Sequence, residues 1–277
     1  MKLITKISAI VLTKNEEAGL GNTLHRLADF EDVIVVDSDS DDRTVEIARQ
    51  HGARVVNFTW DGRYPKKKQW ALENAGAVNK WVLLLDADEY PSQSLVRELE
   101  ALQGALTATP KGAFDINLLY RFAGRYLRHG HVVTKRSLLH LDRARFPVID
   151  DLQAPGIREV EGHYQPETAH PIGKLRSRIV HDDRDPVSSW FARHNRYSDW
   201  EAHLRLNDSL RREIASKRTL KGRVFDSVPF KPLLFFVYAY VVRAGFLDGR
   251  AGFDYATALS MYYWQIGLKT RELRRRG

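Results

Sequence analysis

The 277-residue chain carries 43 lysines and arginines against 35 aspartates and glutamates, for a net charge of +8, and it contains no cysteine. Disulfides, thiolate metal sites and a cysteine nucleophile are thereby excluded together, and the composition fits a reducing compartment. With 43% apolar residues the chain can bury a sizeable core, as one large domain or as a catalytic domain with an appendage.

Residues 7–12 are apolar or small and read as a first buried strand, and Leu20, Leu24 and Leu27 give residues 16–30 a helical spacing. Residues 33–36 predict a second strand. It empties into Asp37-Ser38-Asp39-Ser40-Asp41-Asp42, where Asp42 can cap a helix over 43–50. A short strand over 53–57, a helix opened by Pro65 and running to 77, and a strand over 81–85 follow. Ser92 then caps a helix over 92–103. Strand alternates with helix, so about the first hundred residues predict a mainly parallel sheet covered on both faces. Beyond it, strands are expected over 114–120 and 137–141, residues 147–175 read as loop, and 186–217 is helical and strongly charged.

The segment 229–247 is different in kind. Residues 233–242 are the most apolar run in the chain, yet Lys231 and Arg243 bound it at about half the roughly 20 residues needed to span a bilayer. An amphipathic aromatic stretch over 255–268 follows, and the chain then turns strongly basic. Two short apolar helices with Tyr, Trp and flanking cations suit a hairpin lying in the interface of an anionic leaflet, held by Phe235, Phe236 and Tyr240. The competing use is a buried helix pair that caps the domain or forms a homo-oligomeric contact. Residues 1–6 are too short and polar for a secretory signal, so the protein is expected to stay where it is made.

Three predicted strand ends carry polar clusters to one edge: Thr13-Lys14-Asn15-Glu16, Asp37-Ser38-Asp39 and Asp86-Ala87-Asp88-Glu89. The carboxyl edge of an open α/β sheet is where ligands bind. Two aspartates one residue apart at the mouth of a buried strand suit a hard divalent cation that keeps positions open for phosphate oxygens.

This constellation resembles the family 2 glycosyltransferases, inverting enzymes of the GT-A fold. The resemblance rests on residues 8–17, on the Val36 to Ala48 segment, on Lys66-Lys67-Lys68-Gln69-Trp70-Ala71-Leu72 and on the acids from Asp86 to Glu89. More weakly, Gly124-Arg125, Gly156-Ile157-Arg158-Glu159, His181, Arg193-His194-Asn195-Arg196-Tyr197 and Gly245-Phe246-Leu247-Asp248-Gly249 are similar to the lipopolysaccharide-core subgroup. The sequence departs from that pattern with Arg158 in place of His and Asp39 in place of Gly.

The resemblance implies an α/β fold of GT-A type, Rossmann-like, with a mainly parallel sheet and helices on both faces, to which the apolar and basic C-terminal stretch would add a helical membrane-associating segment. The domain would cover 1–220, with a nucleotide-binding half over 1–105 and an acceptor half over 106–220, and 221–277 would form the helical segment. It implies a nucleotide-sugar donor, UDP-linked, a Mg²⁺ or Mn²⁺ cofactor, and a lipid-linked or lipopolysaccharide acceptor at the cytoplasmic face of the inner membrane, with no nucleic acid. Asp88 and His181 would hold the metal, His181 alternatively touching the diphosphate, and Asp86 would contact ribose or help hold the ion. Thr13, Asn15 and Glu16 would line the nucleoside pocket, Asp37 reach the base, and Lys68 lie near base or phosphate. Glu159 is the expected general base, with Glu161 two residues away as the alternative. Arg193 and Arg196, one helical turn apart, would reach a phosphate or an anionic lipid-linked acceptor.

Rival readings fit less well. Gly19-Leu20-Gly21 imitates part of a dinucleotide fingerprint but lacks the third glycine and follows Glu16 and Glu17, which would repel a pyrophosphate. A nucleotidyltransferase would want a glycine-rich basic loop after the first strand. A polyprenyl-phosphate glycosyltransferase stays open as an alternative. A non-enzymatic basic membrane-binding module leaves the three acidic strand ends without purpose.

Overall fold

The computed structural model describes residues 3–149, 151–152, 154–155, 157–161, 164–207 and 230–276. The described chain forms two compact units that interleave in sequence: Met1–Tyr120, Val133–Val148 and Glu159–Asp183 in the first, and Arg121–Val132, Ile149–Arg158 and Arg184–Gly277 in the second. The expected boundary at 220 and 221 lies outside the described residues, as do Gly156 and residues 208–217 of the expected charged helix.

The first unit is α/β, as expected. Strands β1 (Ile4–Thr13), β2 (Phe30–Asp37), β3 (Arg54–Asn57) and β4 (Trp81–Asp86) form its parallel half, with α1 (Leu20–His25), α2 (Thr44–Gln50) and α3 (Lys67–Asn74) between them. β5 (Glu89–Pro91), α4 (Gln93–Leu102), β6 (Ala113–Phe122), β8 (Thr134–His140) and β9 (Ile172–His181) follow, while β7 (Arg125–Leu127) falls in the second unit. The sheet runs in the order β3-β2-β1-β4-β8-β6-β9-β5, and β8 pairs antiparallel to β4.

The unbroken apolar runs of β1 and β4 are explained by burial on both faces. Trp81, Leu83 and Leu85 join one core with Ala9, Val11, Leu95 and Leu99, while Val82 and Leu84 join another with Ile10, Leu12, Ala71 and Leu72. Side chains alternate across a strand, so each successive residue feeds the opposite layer. Each fully buried Leu or Val contributes roughly 1.5–3 kcal/mol, and β4 is thus a stiff rod ending at Asp86. Ser92 caps α4 as expected, its hydroxyl accepting from the Leu95 amide at 3.2 Å. The helix expected over 16–30 is shorter, Leu20–His25. Residues 14–19 are used instead in a loop whose Asn15 adopts φ +56°. β5 and β9 were not expected: Glu89-Tyr90-Pro91 is too short to show a period, and β9 begins inside the segment read as loop.

In the second unit α5 (Val187–Leu206) packs on α7 (Gly249–Arg276), which also packs on α6 (Lys231–Phe236). A π-helical turn over Val237–Val242 and a 3₁₀ turn over Gly245–Asp248 join α6 to α7. Gly252 lets the two strokes of the hairpin close, since a Cβ there would lie 2.0 Å from the Gly245 carbonyl oxygen. Among the described residues no single helix is long and apolar enough to cross a membrane; Lys231–Val242 and Gly245–Arg276 reach that character only as a pair bent by 72°.

Candidate active site

Register places the strand ends side by side: Thr13 lies opposite Asp37, and Leu12 opposite Asp86. Thr13 Oγ1 donates to Asp37 Oδ1 at 2.8 Å, and the Ser40 amide and hydroxyl donate to the same carboxylate at 2.8 and 2.6 Å. Asp37, expected to reach a base, is only 1% exposed and spends its oxygens on organising this turn. Asn15 donates its amide to Ser40 Oγ and accepts from the Asp41 amide, and the Glu16 amide donates to Thr44 Oγ1 at 2.7 Å. Thr13, Asn15, Glu16 and Asp37 therefore form one knitted loop pair. Asp39, which stands where glycine is usual in the resemblance, adopts φ +52°. Its carboxylate accepts from Asn57 and Thr59, each at 2.9 Å, which offsets the strain of a left-handed non-glycine residue. Ser38 Oγ is buried and has no hydrogen-bond partner.

The turn from Asp86 to Glu89 separates its acids into two groups. Lys135, on β8, places Nζ 2.7 Å from Asp86 Oδ2 and also on Glu89, whose carboxylate accepts from the Asp86 amide at 3.0 Å. Lys68 Nζ lies 3.8 Å from Asp86 Oδ1. Burial opposes the charge on Asp86, but the two ammonium groups outweigh it and hold the carboxyl well below the usual carboxylate range. Burial likewise opposes the charge on Lys135, and Asp86 and Glu89 reverse that effect, raising it above the ordinary lysine range.

Asp88 stands apart from this network. Its Oδ2 lies 3.5 Å from His181 Nε2, and its main-chain oxygen accepts from the Asp182 amide at 2.8 Å. Burial, with the charges of Glu89, Asp86 and Asp183 against the relief from His181, pushes its carboxyl up to about 6. His181 is held opposite Glu89 in the β5–β9 ladder and stacked on Tyr120 at 4.6 Å between ring centroids. Its Nδ1 is buried without a partner.

A divalent ion fits this pair. Oxygen and imidazole ligands sit at about 2.1 Å from such an ion, and a 3.5 Å separation of Asp88 Oδ2 from His181 Nε2 lies within two such bonds. Among the described residues no three His, Cys, Asp or Glu side chains converge on one point. Asp88 and His181 would therefore leave most of the coordination sphere to ligand oxygens, and Asp86 is committed to lysines.

Helix α3 brings the remaining carboxylates in. Lys67, 1% exposed, donates through Nζ to the Thr13 carbonyl at 2.6 Å and lies 3.7 Å from Glu159 Oε1. Its main-chain amide donates to the Glu159 carbonyl at 2.7 Å, and Lys14 Nζ lies 3.6 Å from Glu159 Oε2. Burial lowers the Lys67 ammonium to about 8, a fall that Glu159 and Asp37 partly offset. Glu161 does something else: its carboxylate accepts from the amides of Lys68 and Gln69 at 2.8 and 2.9 Å, closing the first turn of α3. Burial raises its carboxyl.

Residues 8–159, more than half of the chain, match the family described as Glycosyl transferase family 2. The chain belongs to that family. This family 2 glycosyltransferase is 40% identical over 120 residues to an uncharacterised glycosyltransferase of Rickettsia typhi, covering 43% of this chain and 40% of the relative. It is 34% identical over 98 residues to a lipopolysaccharide core biosynthesis glycosyltransferase of Rhizobium meliloti, covering 34% of this chain and 35% of that one. The alignments thus span about two fifths or less of these relatives' lengths. Among solved structures, glucosyl-3-phosphoglycerate synthase from Mycobacterium tuberculosis in complex with Mn²⁺, UDP and glucosyl-3-phosphoglycerate is 26% identical, with 42% of this chain and 44% of that chain covered at a TM-score of 0.33.

Of the expected site residues of this glycosyltransferase, Thr13, Asn15, Glu16, Asp37, Lys68, Asp86, Asp88, Glu159 and His181 all belong to the first unit, and Arg193 and Arg196 to the second. Arg193 is paired with Asp185 at 2.6 Å. The sequence assigned no individual role to Lys67 or Ser38, though both lie in the segments that carry the resemblance, and it did not single out Lys135. Lys67 sat in a basic triplet that could have been a solvated helix face, whereas the structure buries it. Lys135 reaches Asp86 from 49 residues away through the β4–β8 pairing, and no local pattern announces that.

Proposed function

We propose that this family 2 glycosyltransferase moves a hexosyl group from a nucleoside diphosphate sugar, UDP-linked, to a hydroxyl of a lipid-anchored glycan such as lipopolysaccharide core, with inversion at the anomeric carbon. The observation that carries the reading is the pairing of Asp88 with His181 at 3.5 Å, on the sheet edge where Lys67 and Lys14 hold Glu159. The name of the Rhizobium meliloti relative supports the acceptor class.

In this reading Glu159 takes the proton from the acceptor hydroxyl as its oxygen attacks the anomeric carbon. The bond to the diphosphate oxygen breaks on the opposite face, and the electron pair leaves with the nucleoside diphosphate. Glu161 is already committed to two α3 amides, which favours Glu159 as the base. Lys67 orients Glu159, and Lys135 keeps Asp86 ionised. Asp88 and His181 would hold Mg²⁺ or Mn²⁺, which supplies positive charge against the charge that develops on the leaving diphosphate. The loop pair of Thr13, Asn15, Glu16 and Asp37, with the unpartnered Ser38 hydroxyl, suits a nucleoside.

The test is hydrolysis of a panel of nucleotide sugars with Mn²⁺ or with chelator, followed by transfer to lipid-anchored core glycan and to polyprenyl phosphate. Metal-dependent turnover of a UDP-sugar with transfer to the glycan is expected. No turnover of any nucleotide sugar would remove the donor assignment, and transfer only to polyprenyl phosphate would replace the acceptor.

A further inference from the structure

We propose that the outer face of the C-terminal helix pair binds an anionic lipid surface, lying in the membrane interface without crossing it. This goes beyond the chemistry of the donor site and stands on different residues.

The pair has an inner side that is satisfied. Phe235 and Ala239 pack on Ala256, with Phe236, Tyr240, Leu259 and Tyr263 around them. This corrects the expectation that Phe235, Phe236 and Tyr240 are the membrane anchors: Phe235 is 3% exposed, and the half-buried Phe236 and Tyr240 stack on each other at 5.3 Å and meet the Phe253 ring edge-on. One face of the segment must close on α7, and the bulkiest rings do so.

The other side is apolar and open. Leu233, Val241 and Val242 are 64%, 55% and 68% exposed, and Phe246 and Leu247 on the connecting turn are 50% and 60% exposed. On α7 the exposed Met261, Trp264 and Leu268 and the outer edge of Phe253, which is 45% exposed although it also meets the inner rings, fall within an arc of roughly 80° at about 100° per residue, and Arg250, Arg271 and Arg275 share that arc. The stripe thus reads basic, apolar, basic. Its apolar part spans fifteen residue steps, about 22 Å, short of the roughly 30 Å hydrocarbon core of a bilayer. Tyr238 and Trp264 are also exposed, and such rings favour the headgroup level.

Charge selects the occupant. From Lys231 to Arg276 there are eight basic and three acidic side chains. The acids are engaged within the unit: Asp248 with His129 at 2.9 Å, Asp254 with Arg250 at 3.7 Å and Glu272 with Arg276 at 2.6 Å. A second copy laid on this face would bring arginines against arginines, whereas an anionic leaflet supplies the missing negative charge and takes up the apolar residues.

The experiment is flotation of the full chain with vesicles of mixed phosphatidylcholine and phosphatidylglycerol, against vesicles of phosphatidylcholine alone, at low and high salt. Wild type is expected to favour the anionic vesicles at least about tenfold and to be released in part by salt. Leu233→Ser combined with Val241→Ser and Trp264→Ser, and separately Arg271→Gln combined with Arg275→Gln, are each expected to lower the bound fraction roughly tenfold at low salt. The changed side chains are exposed, so circular dichroism melts should match wild type. Wild type that floats with neither vesicle, or equally with both, overturns the proposal. So does resistance to alkaline carbonate extraction, which marks a spanning segment. A dimer in sedimentation that vesicles do not disperse assigns the face to a second copy instead.

Discussion

The sheet edge of the first unit and the helix pair of the second use polar and apolar side chains in opposite ways. At the edge, charged groups are gathered from distant parts of the chain and most are tied to one another: Asp86 and Glu89 to Lys135, Glu159 to Lys67 and Lys14, Glu161 to two amides. On the helix pair, apolar groups are gathered by simple helical period, and many are left without cover. A dense network of internal partners fixes a geometry in which the few loosely held groups, Asp88 and His181, can take a ligand. An uncovered apolar stripe fixes no such geometry and asks only for a surface.

The largest effect expected is at Asp88. Asp88→Asn should lower metal-dependent turnover of the donor more than about 10²-fold, because an amide is a weaker ligand for a hard cation, with no loss of thermal stability. Unchanged turnover in saturating Mn²⁺ would make Asp88 one more member of the structural network. Glu159→Gln comes next: turnover should fall roughly 10²-fold, the usual scale for a general base, with donor affinity preserved. If Glu161→Gln produces that loss instead, the division between a base and a helix-closing carboxylate is wrong.

The third effect is in pH. Asp88 keeps its proton up to about 6 in the folded chain, above its ordinary value near 4, so this group's contribution to stability falls as pH rises between those values. Proton and cation compete for the same carboxylate, so Mn²⁺ affinity should rise roughly tenfold between pH 5 and pH 7, read by calorimetry. A flat profile would show that Asp88 does not hold the ion. The smallest effects are in stability. Glu161→Ala should cost about 1 kcal/mol through the first turn of α3, the scale of a lost helix cap, and lower turnover with it. His129→Ala should cost about half as much, since the pair with Asp248 is partly exposed, and should leave donor turnover as it was. A loss of donor turnover in His129→Ala would blur the division between the two regions.

The sequence made the strands and their ends legible because β1, β2 and β4 are buried on both faces and stop at polar residues, β2 at Asp37 and β4 at Asp86, a pattern carried by adjacent residues. Asp88 could be singled out for the same reason, together with the family resemblance, whereas Glu159 lies in a loop and was reached through the resemblance alone. Lys135 could not, since its role depends on which strand lies beside β4. The inward turn of Phe235 was hidden because an apolar run without polar interruptions does not show which of its faces is covered. Glu161 and Glu159 look alike in sequence and differ only in what α3 presents to them.

The most direct test of the site is calorimetric titration of UDP into the full chain with and without Mn²⁺, on wild type and on Asp88→Asn. Binding to wild type that strengthens at least about tenfold with Mn²⁺, and an enhancement abolished in Asp88→Asn, is the expected result. UDP binding that ignores the metal, or an enhancement that survives in Asp88→Asn, would contradict the assignment of the Asp88 and His181 edge as the place where the diphosphate is held.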